Sequence, residues 1–271
     1  MALQMVSLNS GSNGNCYYVG NADDAVLIDV GISGSQLVKR MKAIGLSMQK
    51  VKAIFISHEH SDHINGAPSV ASRFKLPVYI SHKTASRRPR ALAPHAIPIQ
   101  TDTPVTIGSL QVVPFLKKHD AADPYSFVVH ANNTTVGVFT DLGEVCKPLK
   151  HYYSQCDAAF LEANYDPEML ENGSYPQALK NRIRGGHGHL SNQQALELFI
   201  NHSSPNLSLL VLAHLSKENN RPELVEALFN AHAAQVRIEI ASRYDPSPLF
   251  TVQGNENRLQ LYFEPTQMQL F

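Results

Sequence analysis

The chain has 271 residues, of which 43% are hydrophobic and 17% charged, a composition that fits a folded globular protein and excludes a disordered one. Its formal net charge is zero, which excludes binding to nucleic acid by global positive charge alone. No apolar stretch approaches the roughly 18 residues of a membrane span, and the N-terminus does not resemble a secretory signal. Three cysteines without C-x-x-C spacing fit a reducing compartment, so we expect a cytoplasmic protein without membrane association.

Apolar runs predict strands that alternate with helices along the chain. Strands are predicted at 4–8, 16–19, 25–29, 51–56, 77–80, 111–116, 125–130, 134–139, 158–162, 208–213 and 236–240. Helices are predicted from Ser33 or Ser35 to about Ile44, and at 67–74, 192–201 and 222–232. No low-complexity tract or Pro-rich linker interrupts this order, so we predict one domain over residues 1–271.

The segment after the strand at 51–56 has the pattern His-x-His-x-Asp-His. Three imidazoles and a carboxylate so close together cannot all reach one ion from a single helical face. A turn can direct His58 and His60 to one metal, and Asp62 and His63 to another. A solvated His-rich loop is the alternative, but the spacing favours metal binding.

Three further polar residues follow apolar strands: His119, Asp141 and His214. A lone histidine at a strand end is more often structural, but together these residues complete a dinuclear site. One ion would be bound by His58, His60 and His119, and the other by Asp62, His63 and His214. The two oxygens of Asp141 would bridge the ions. Zinc and manganese both suit ligands that are all nitrogen and oxygen.

This order of ligands resembles that of the metallo-β-lactamase superfamily, and the Asp-His pair resembles its phosphodiesterase and thioesterase branches. Five further strings are similar to the YycJ/WalJ group of that superfamily. They are SGSNGN at 10–15, TDLG at 140–143, LEANYD at 161–166, GHLSN at 188–192 and HLSKENN at 214–220. The resemblance spans nearly the whole chain.

The resemblance implies an α/β (α+β) fold, namely a four-layer αββα sandwich with metals at one rim of two mixed sheets. It also implies a hydrolase with two divalent ions, Zn2+ or Mn2+. The implied activity is 5′-3′ exonuclease cleavage of double-stranded DNA. A hydroxide shared by the ions would attack phosphorus.

Two residues resemble a catalytic pair of the related tRNase Z motifs, namely Glu162 and His189. By that resemblance His189 protonates the leaving oxygen and Glu162 orients its ring. Asp62 would orient the nucleophile in addition to binding metal. The structural alternatives are a loop histidine before the helix at 192 and a surface carboxylate after a strand.

Basic and amide side chains near these motifs are candidates for phosphate binding. The predicted substrate-binding residues are Arg182, Arg184, Asn219 and Asn220. A second basic cluster consists of Lys83, Arg87, Arg88 and Arg90. For each cluster a solvated face is the alternative, and the two asparagines can equally form a turn.

The chain lacks the long Gly/Pro-rich arm of tRNase Z and the inserted domain of β-CASP nucleases. A polymer would therefore be bound by the surface of the domain itself or by a homo-oligomer. A small-molecule (cyclic) phosphodiesterase needs less surface and remains an alternative. A thioesterase and a non-catalytic metal-binding interaction module are further alternatives.

Overall fold

The computed structural model describes residues 2–87 and 90–254. In this part of the chain, fourteen strands form two seven-stranded mixed sheets that pack face to face, with helices on both outer faces. The predicted fold class, a four-layer αββα sandwich, is therefore confirmed.

The first sheet has the strand order β14-β1-β2-β3-β4-β5-β6. Its strands are β1 Leu3–Asn9, β2 Cys16–Gly20, β3 Ala25–Ile28, β4 Val51–Phe55, β5 Val78–Ile80, β6 Ala96–Pro98 and β14 Phe250–Val252. The second sheet has the order β13-β12-β11-β10-β9-β8-β7. Its strands are β7 Val105–Ile107, β8 Leu110–Leu116, β9 Tyr125–Ala131, β10 Thr134–Phe139, β11 Ala158–Glu162, β12 Leu209–Ala213 and β13 Arg237–Ile240.

The helices of the first half are α1 Gly34–Ala43, α2 Ser61–Ile64, α3 Ala67–Phe74 and α4 His82–Ser86, with 3-10 turns at Met48–Lys50 and Arg90–His95. Those of the second half are α5 Lys147–Tyr153, α6 Pro167–Asn172, α7 Gln177–Arg184, α8 Asn192–His202 and α9 Pro222–Asn230. None of the helices in the described residues is long and apolar enough to cross a membrane.

Strand direction brings the polar strand ends to one edge. In the first sheet β3 and β4 are parallel, and β1 runs the same way because two antiparallel pairings separate it from β3. In the second sheet β10, β11 and β12 are parallel, and β8 shares their direction through two antiparallel pairings with β9. The C-terminal ends of all seven strands therefore meet along one rim, where the loops carry the predicted site.

Three apolar layers hold the sandwich together. Between the sheets, large aromatic side chains from both faces interlock, with the rings of Tyr17 and Phe160 4.9 Å apart. Outside the first sheet, α1 and α3 cover the core, for example through Leu37 and Val70. Outside the second sheet, α5, α8 and α9 provide the cover, for example through Phe199.

The predicted strands are all present, with ends shifted by at most one residue, and helix α3 has the predicted bounds. Helices α4, α5, α6 and α7 were not predicted, and neither were the short strands β6, β7 and β14. Helix α7 has only three apolar residues, Ala178, Leu179 and Ile183, and buries none of them fully, so the sequence offers little apolar surface from which to predict it. The metal motif was predicted as a turn, but after His60 it forms the single helical turn α2.

Removal of the Phe160 ring should reveal how much the inter-sheet layer contributes to stability. Phe160 is fully buried between the sheets, so Phe160→Ala should lower the free energy of unfolding by about 3–5 kcal/mol. Ile200→Ala is the control, because Ile200 is 51% exposed and its truncation should change stability by about 0.5 kcal/mol or less. Urea unfolding of both variants in chelator would measure this. Equal losses would contradict the assigned core.

Candidate metal centre

The His-x-His-x-Asp-His segment follows the C-terminal end of β4 and lies at the rim of the sandwich. His58 and His60 lie in the loop, and Asp62 and His63 lie on the helical turn α2. The remaining predicted ligands follow the ends of β8, β10 and β12 in the facing sheet. The site is therefore built from loops of both sheets, and it depends on their packing.

The first predicted ligand group is a compact set of three histidines. His60 Nδ1 lies 3.4 Å from His119 Nε2. The ring of His58 is centred 4.6 Å from that of His60 and 4.9 Å from that of His119. One nitrogen of each ring lies within 4.8 Å of the others, close enough for all three to bind one ion.

The second predicted group lies beside the first. His63 Nε2 is 3.5 Å from Asp62 Oδ2, and His214 Nε2 is 3.9 Å from the same oxygen. Asp141 lies between the two groups, with Oδ2 3.1 Å from His63 Nε2 and Oδ1 3.8 Å from His119 Nε2. Its two oxygens thus face ligands of both groups, the position that a bridging carboxylate requires.

The chemistry of the inner atoms fits metal ions. His58 Nε2, His214 Nε2 and Asp141 Oδ2 are buried, and none has a hydrogen-bond partner among the described residues. Buried polar atoms are nearly always satisfied, so three such atoms aimed into one space indicate a ligand that binds lone pairs. A set of imidazole nitrogens and carboxylate oxygens suits divalent cations such as zinc or manganese.

Outer hydrogen bonds orient the imidazoles. The Nδ1–H groups of His63, His119 and His214 can donate to Asp29 Oδ2 at 2.7 Å, to the carbonyl of Gly188 at 2.9 Å and to Glu162 Oε1 at 2.9 Å. In the neutral form of each ring, the form that binds a metal ion, this leaves Nε2 unprotonated and directed inward. Carboxylate and carbonyl partners of this type fix the tautomer of a metal-binding histidine and increase its basicity.

The site concentrates negative charge in a buried space. It holds the carboxylates of Asp29, Asp62, Asp141 and Glu162. The only buried amine beside them in the described residues is Lys117, so the fixed charges do not balance. Buried charges of one sign need compensation, which bound cations would provide.

The pKa shifts reflect this imbalance. Burial lowers the pKa of His119 to about 4, so its ring is neutral and available as a ligand. Burial opposes the charged form of His214 as well, but Asp141, Asp62 and Glu162 outweigh that effect and raise its pKa to about 10. Burial also works against ionised Asp141, yet His214 and His63 hold its pKa well below the usual range.

Glu162 and His189 form a pair at the edge of the ligand set. His189 Nδ1 lies 2.8 Å from Glu162 Oε1, and the His189 side chain is 22% exposed whereas Glu162 is fully buried. Burial would raise the pKa of Glu162, but His189 and His214 lower it to about 2. Its other oxygen, Oε2, accepts hydrogen bonds from the backbone N–H of Leu142 at 2.7 Å and of Leu190 at 3.2 Å.

Another combination of residues is also close enough to hold an ion, namely Asp141, Glu162, His189 and His214. The hydrogen bonds to Glu162 argue against it. Both of its oxygens already accept N–H groups, so Glu162 supports the histidines from behind.

The backbone is strained where the site residues leave their strands. Asp29, Asp141 and His214 have φ values of 60°, 55° and 56°, in the left-handed region that non-glycine residues rarely adopt. Such conformations cost of order 1–3 kcal/mol each and cluster at functional sites. Here they turn a side chain sharply inward at the end of a buried strand.

Several residues that support the site were not predicted from the sequence. The side-chain amide of Asn15 lies 3.3 Å from Asp62 Oδ2 and 3.0 Å from His63 Nε2. The ammonium of Lys117 donates to the carbonyl of Thr140 at 2.6 Å, just before Asp141. Asp29 could have been predicted as a site residue, because it follows an apolar strand in the sequence just as Asp141 does.

The predicted substrate-binding residues are dispersed. Arg182 lines a cavity beside His189, where it forms an ion pair with Asp120 at 2.5 Å. Arg184 pairs with Glu171 at 2.8 Å. Asn219 is buried, as is Asn220, whose amide donates to the carbonyl groups of Ala163 and Asn164. The roles of these four residues stay predictions.

The second basic cluster is largely engaged in ion pairs. Lys83 lies 3.5 Å from Asp123, and Arg87 lies 3.4 Å from Glu59. Arg88 lies outside the described residues, as does the side chain of Arg90. A phosphate-binding rim at this cluster stays a prediction.

The support that Asp29 gives to His63 can be tested by metal binding. Asp29→Asn replaces an acceptor of the His63 N–H by an amide, so metal affinity should fall about 10–100-fold. Asp157→Asn is the matched control. Asp157 is equally buried and accepts the Thr135 N–H at 2.7 Å, but it precedes β11 at the end opposite the site. Competition titration with a chromophoric chelator would measure both affinities. Equal affinities for the two variants would refute this role.

Known proteins are similar to this chain in sequence and in fold. Residues 24–214 match the beta-lactamase superfamily domain. Exodeoxyribonuclease YycJ of Bacillus anthracis is 35% identical over 232 residues, which are 83% of this chain and 86% of the relative. Exodeoxyribonuclease WalJ of Streptococcus pneumoniae is 31% identical over 250 residues, which are 89% of this chain and 93% of the relative.

Among solved structures, the metallo-beta-lactamase fold protein YhfI of Bacillus subtilis has a TM-score of 0.69 at 16% identity. The match covers 93% of this chain and 100% of that one. The fold, the His/Asp cluster and these relatives agree: the chain belongs to the beta-lactamase superfamily, as a metallo-hydrolase of the YycJ/WalJ group.

Proposed function

We propose that the protein is a dinuclear metal-dependent exonuclease that hydrolyses phosphodiester bonds of double-stranded DNA from the 5′ end. The observation that carries this proposal is the Glu162–His189 pair directly beside the metal ligands. Phosphodiester cleavage expels an alkoxide, which needs a proton at neutral pH, and this pair is placed to supply one. Two relatives at 31–35% identity bear the name exodeoxyribonuclease, which supports DNA as the substrate.

The predicted metal ligands would hold two ions, either zinc or manganese. His58, His60 and His119 would form one site, and Asp62, His63 and His214 the other, with Asp141 between them. When bound, the ions supply a nucleophilic water at neutral pH and neutralise charge on the phosphate.

His189 would act as the general acid. Its Nδ1 is held by Glu162 at 2.8 Å, which leaves Nε2 as the nitrogen that meets the leaving oxygen. Because the pKa of Glu162 is lowered to about 2, the carboxylate stays ionised at neutral pH and stabilises the charged imidazolium. Glu162 therefore acts as a positioning residue for both His189 and His214.

Asp62 would have a second task besides binding metal. It is less buried than the other carboxylates of the site, with a side chain 20% exposed. An Asn15 amide 3.3 Å from Oδ2 limits its rotation. The carboxylate can therefore accept a hydrogen bond from the attacking water and align it with phosphorus.

The substrate test uses an end-labelled DNA duplex and bis-p-nitrophenyl phosphate, each with protein loaded with manganese or zinc. We expect metal-dependent shortening of the duplex from the 5′ end. Asp141→Ala should abolish it, since the Asp141 carboxylate would serve as a ligand in both metal sites. Hydrolysis of the small diester with an intact duplex would instead indicate a small-molecule phosphodiesterase.

The acid role of His189 predicts that the effect of its loss depends on the leaving group. With His189→Ala, DNA cleavage should fall about 10²–10⁴-fold, because a sugar alkoxide leaves poorly without a proton. Hydrolysis of bis-p-nitrophenyl phosphate should fall far less, because p-nitrophenolate is a weak base. Metal content, measured by mass spectrometry, should match that of the parent protein. Equal losses on both substrates would show that His189 has a different role.

A further inference from the structure

A small cavity opens beside the metal centre, between the loops of the two sheets. It has a volume of about 190 Å³ and is bounded on one side by His189 and His214. Pockets for drug-sized ligands typically measure about 300–1,000 Å³, so this cavity admits one small unit of a polymer rather than a continuous strand.

One wall of the cavity is apolar. Tyr175, Leu179 and Ile183 follow one another at intervals of four residues, on and just before helix α7, and so share one face. An aromatic ring flanked by aliphatic side chains is a surface on which a sugar or a nucleobase can pack.

Two guanidinium groups line the same cavity, and they differ in their charge partners. Arg182 is 60% exposed and is neutralised by Asp120. Arg243 is partly buried and donates to neutral oxygens, namely Leu215 O at 2.8 Å, Ser12 Oγ at 3.2 Å and Asn13 Oδ1 at 3.3 Å. No carboxylate of the described residues forms an ion pair with Arg243.

The loop between β1 and β2 contacts Arg243 and holds its side chain in place. Gly11 has a φ of 132°, and a Cβ added there would lie 2.9 Å from the guanidinium carbon of Arg243. A side chain at this position would displace the guanidinium from the loop. In return, the amide of Asn13 donates to the backbone carbonyl of Arg243 at 3.0 Å. The loop thus holds the Arg243 guanidinium at the wall of the cavity, where no carboxylate of the described residues pairs with it.

These features match a phosphorylated nucleoside. Guanidinium groups bind phosphate through paired, charge-assisted hydrogen bonds, and the apolar wall accommodates a sugar or base. We propose that the cavity binds the 5′-terminal nucleotide of the cleaved strand, with Arg243 contacting its 5′-phosphate. This inference rests on the proposed exonuclease function and adds the residue that selects the phosphorylated end.

His189 lines the cavity and is the proposed proton donor to the leaving oxygen, so the leaving nucleotide would lie in the cavity. The oxygen of a water molecule bonds to phosphorus, the P–O3′ bond of the terminal nucleotide breaks, and O3′ takes its proton from His189. The proton lost by the water restores His189 through the solvent. The released product is a nucleoside 5′-monophosphate, and it lies on the His189 side.

The same step leaves the shortened strand with a new 5′-phosphate, because the attacked phosphorus stays with that strand. Each cut therefore creates the end that Arg243 recognises. A 5′-hydroxyl end lacks the phosphate, so it loses the charge-assisted hydrogen bonds to the guanidinium.

The test compares two duplexes that differ only in a 5′-phosphate or 5′-hydroxyl on a strand labelled at its 3′ end, with the other strand blocked. The metal-loaded protein should digest the phosphorylated strand about 10–100-fold faster, the effect of one or two charge-assisted hydrogen bonds. Arg243→Ala should reduce that preference to near unity. Arg243→Lys should retain part of it, because lysine keeps the charge but not the planar fork. Arg73→Ala, on the exposed face of α3, should behave like the parent protein.

A binding measurement separates this inference from the exonuclease proposal. By calorimetry, 5′-dAMP should bind the metal-loaded protein more tightly than 2′-deoxyadenosine or 3′-dAMP, and Arg243→Ala should weaken it at least 10-fold. Metal content and thermal unfolding show whether that variant keeps its site and fold. If the variant loses either, Arg243→Lys decides the role of the guanidinium.

Digestion of neither duplex would refute the exonuclease proposal, and the binding of 5′-dAMP would still decide the cavity. Equal digestion of both duplexes by the parent protein would overturn the inference about Arg243. So would shortening from the 3′ end, or 5′-dAMP affinity that Arg243→Ala leaves unchanged.

Discussion

Repulsion among buried carboxylates is the constraint on which the rest of this structure depends. Asp29, Asp141 and Glu162 are buried at one rim of the sandwich beside the partly exposed Asp62, with Lys117 as the only buried amine near them in the described residues. Such a concentration of charge is unfavourable in a protein interior without cations to balance it. The histidine nitrogens lie close enough together to bind such cations, and the carboxylates would attract them. Metal binding and local stability are therefore expected to be coupled.

The fold opposes the repulsion among these carboxylates by holding them on a rigid rim. Asp29, Asp141 and His214 each follow a fully buried strand, and left-handed backbone at these three residues turns the chain abruptly inward. Where Gly31 passes the metal loop, an added Cβ would lie 1.7 Å from the carbonyl oxygen of Asp62, so the two loops touch through their backbones. Side chains positioned in this way have little freedom to rearrange, which favours catalysis by preorganised groups.

Much of the site could be predicted from the sequence because strand ends are visible in it. His119, Asp141 and His214 each follow an apolar run, and parallel strands bring such ends to one edge. Apart from Asp29, which also ends an apolar strand, the supporting residues could not be predicted in this way. Ser10 accepts the N–H of His214 at 2.7 Å, and Asn13 holds Arg243, across more than 200 residues of sequence in each case. Contacts of that range depend on how the loops of two sheets meet, which no local pattern encodes.

We propose that each of the two ligand groups holds one ion, that Asp141 serves both ions, and that His189 lies outside the ligand set. Anomalous diffraction at the zinc or manganese edge, from crystals of the metal-loaded protein, tests it most directly. Two anomalous peaks are predicted, one beside His58, His60 and His119 and the other beside Asp62, His63 and His214. A peak coordinated by Glu162 and His189 would contradict the account, because His189 would then be a ligand and not the proton donor.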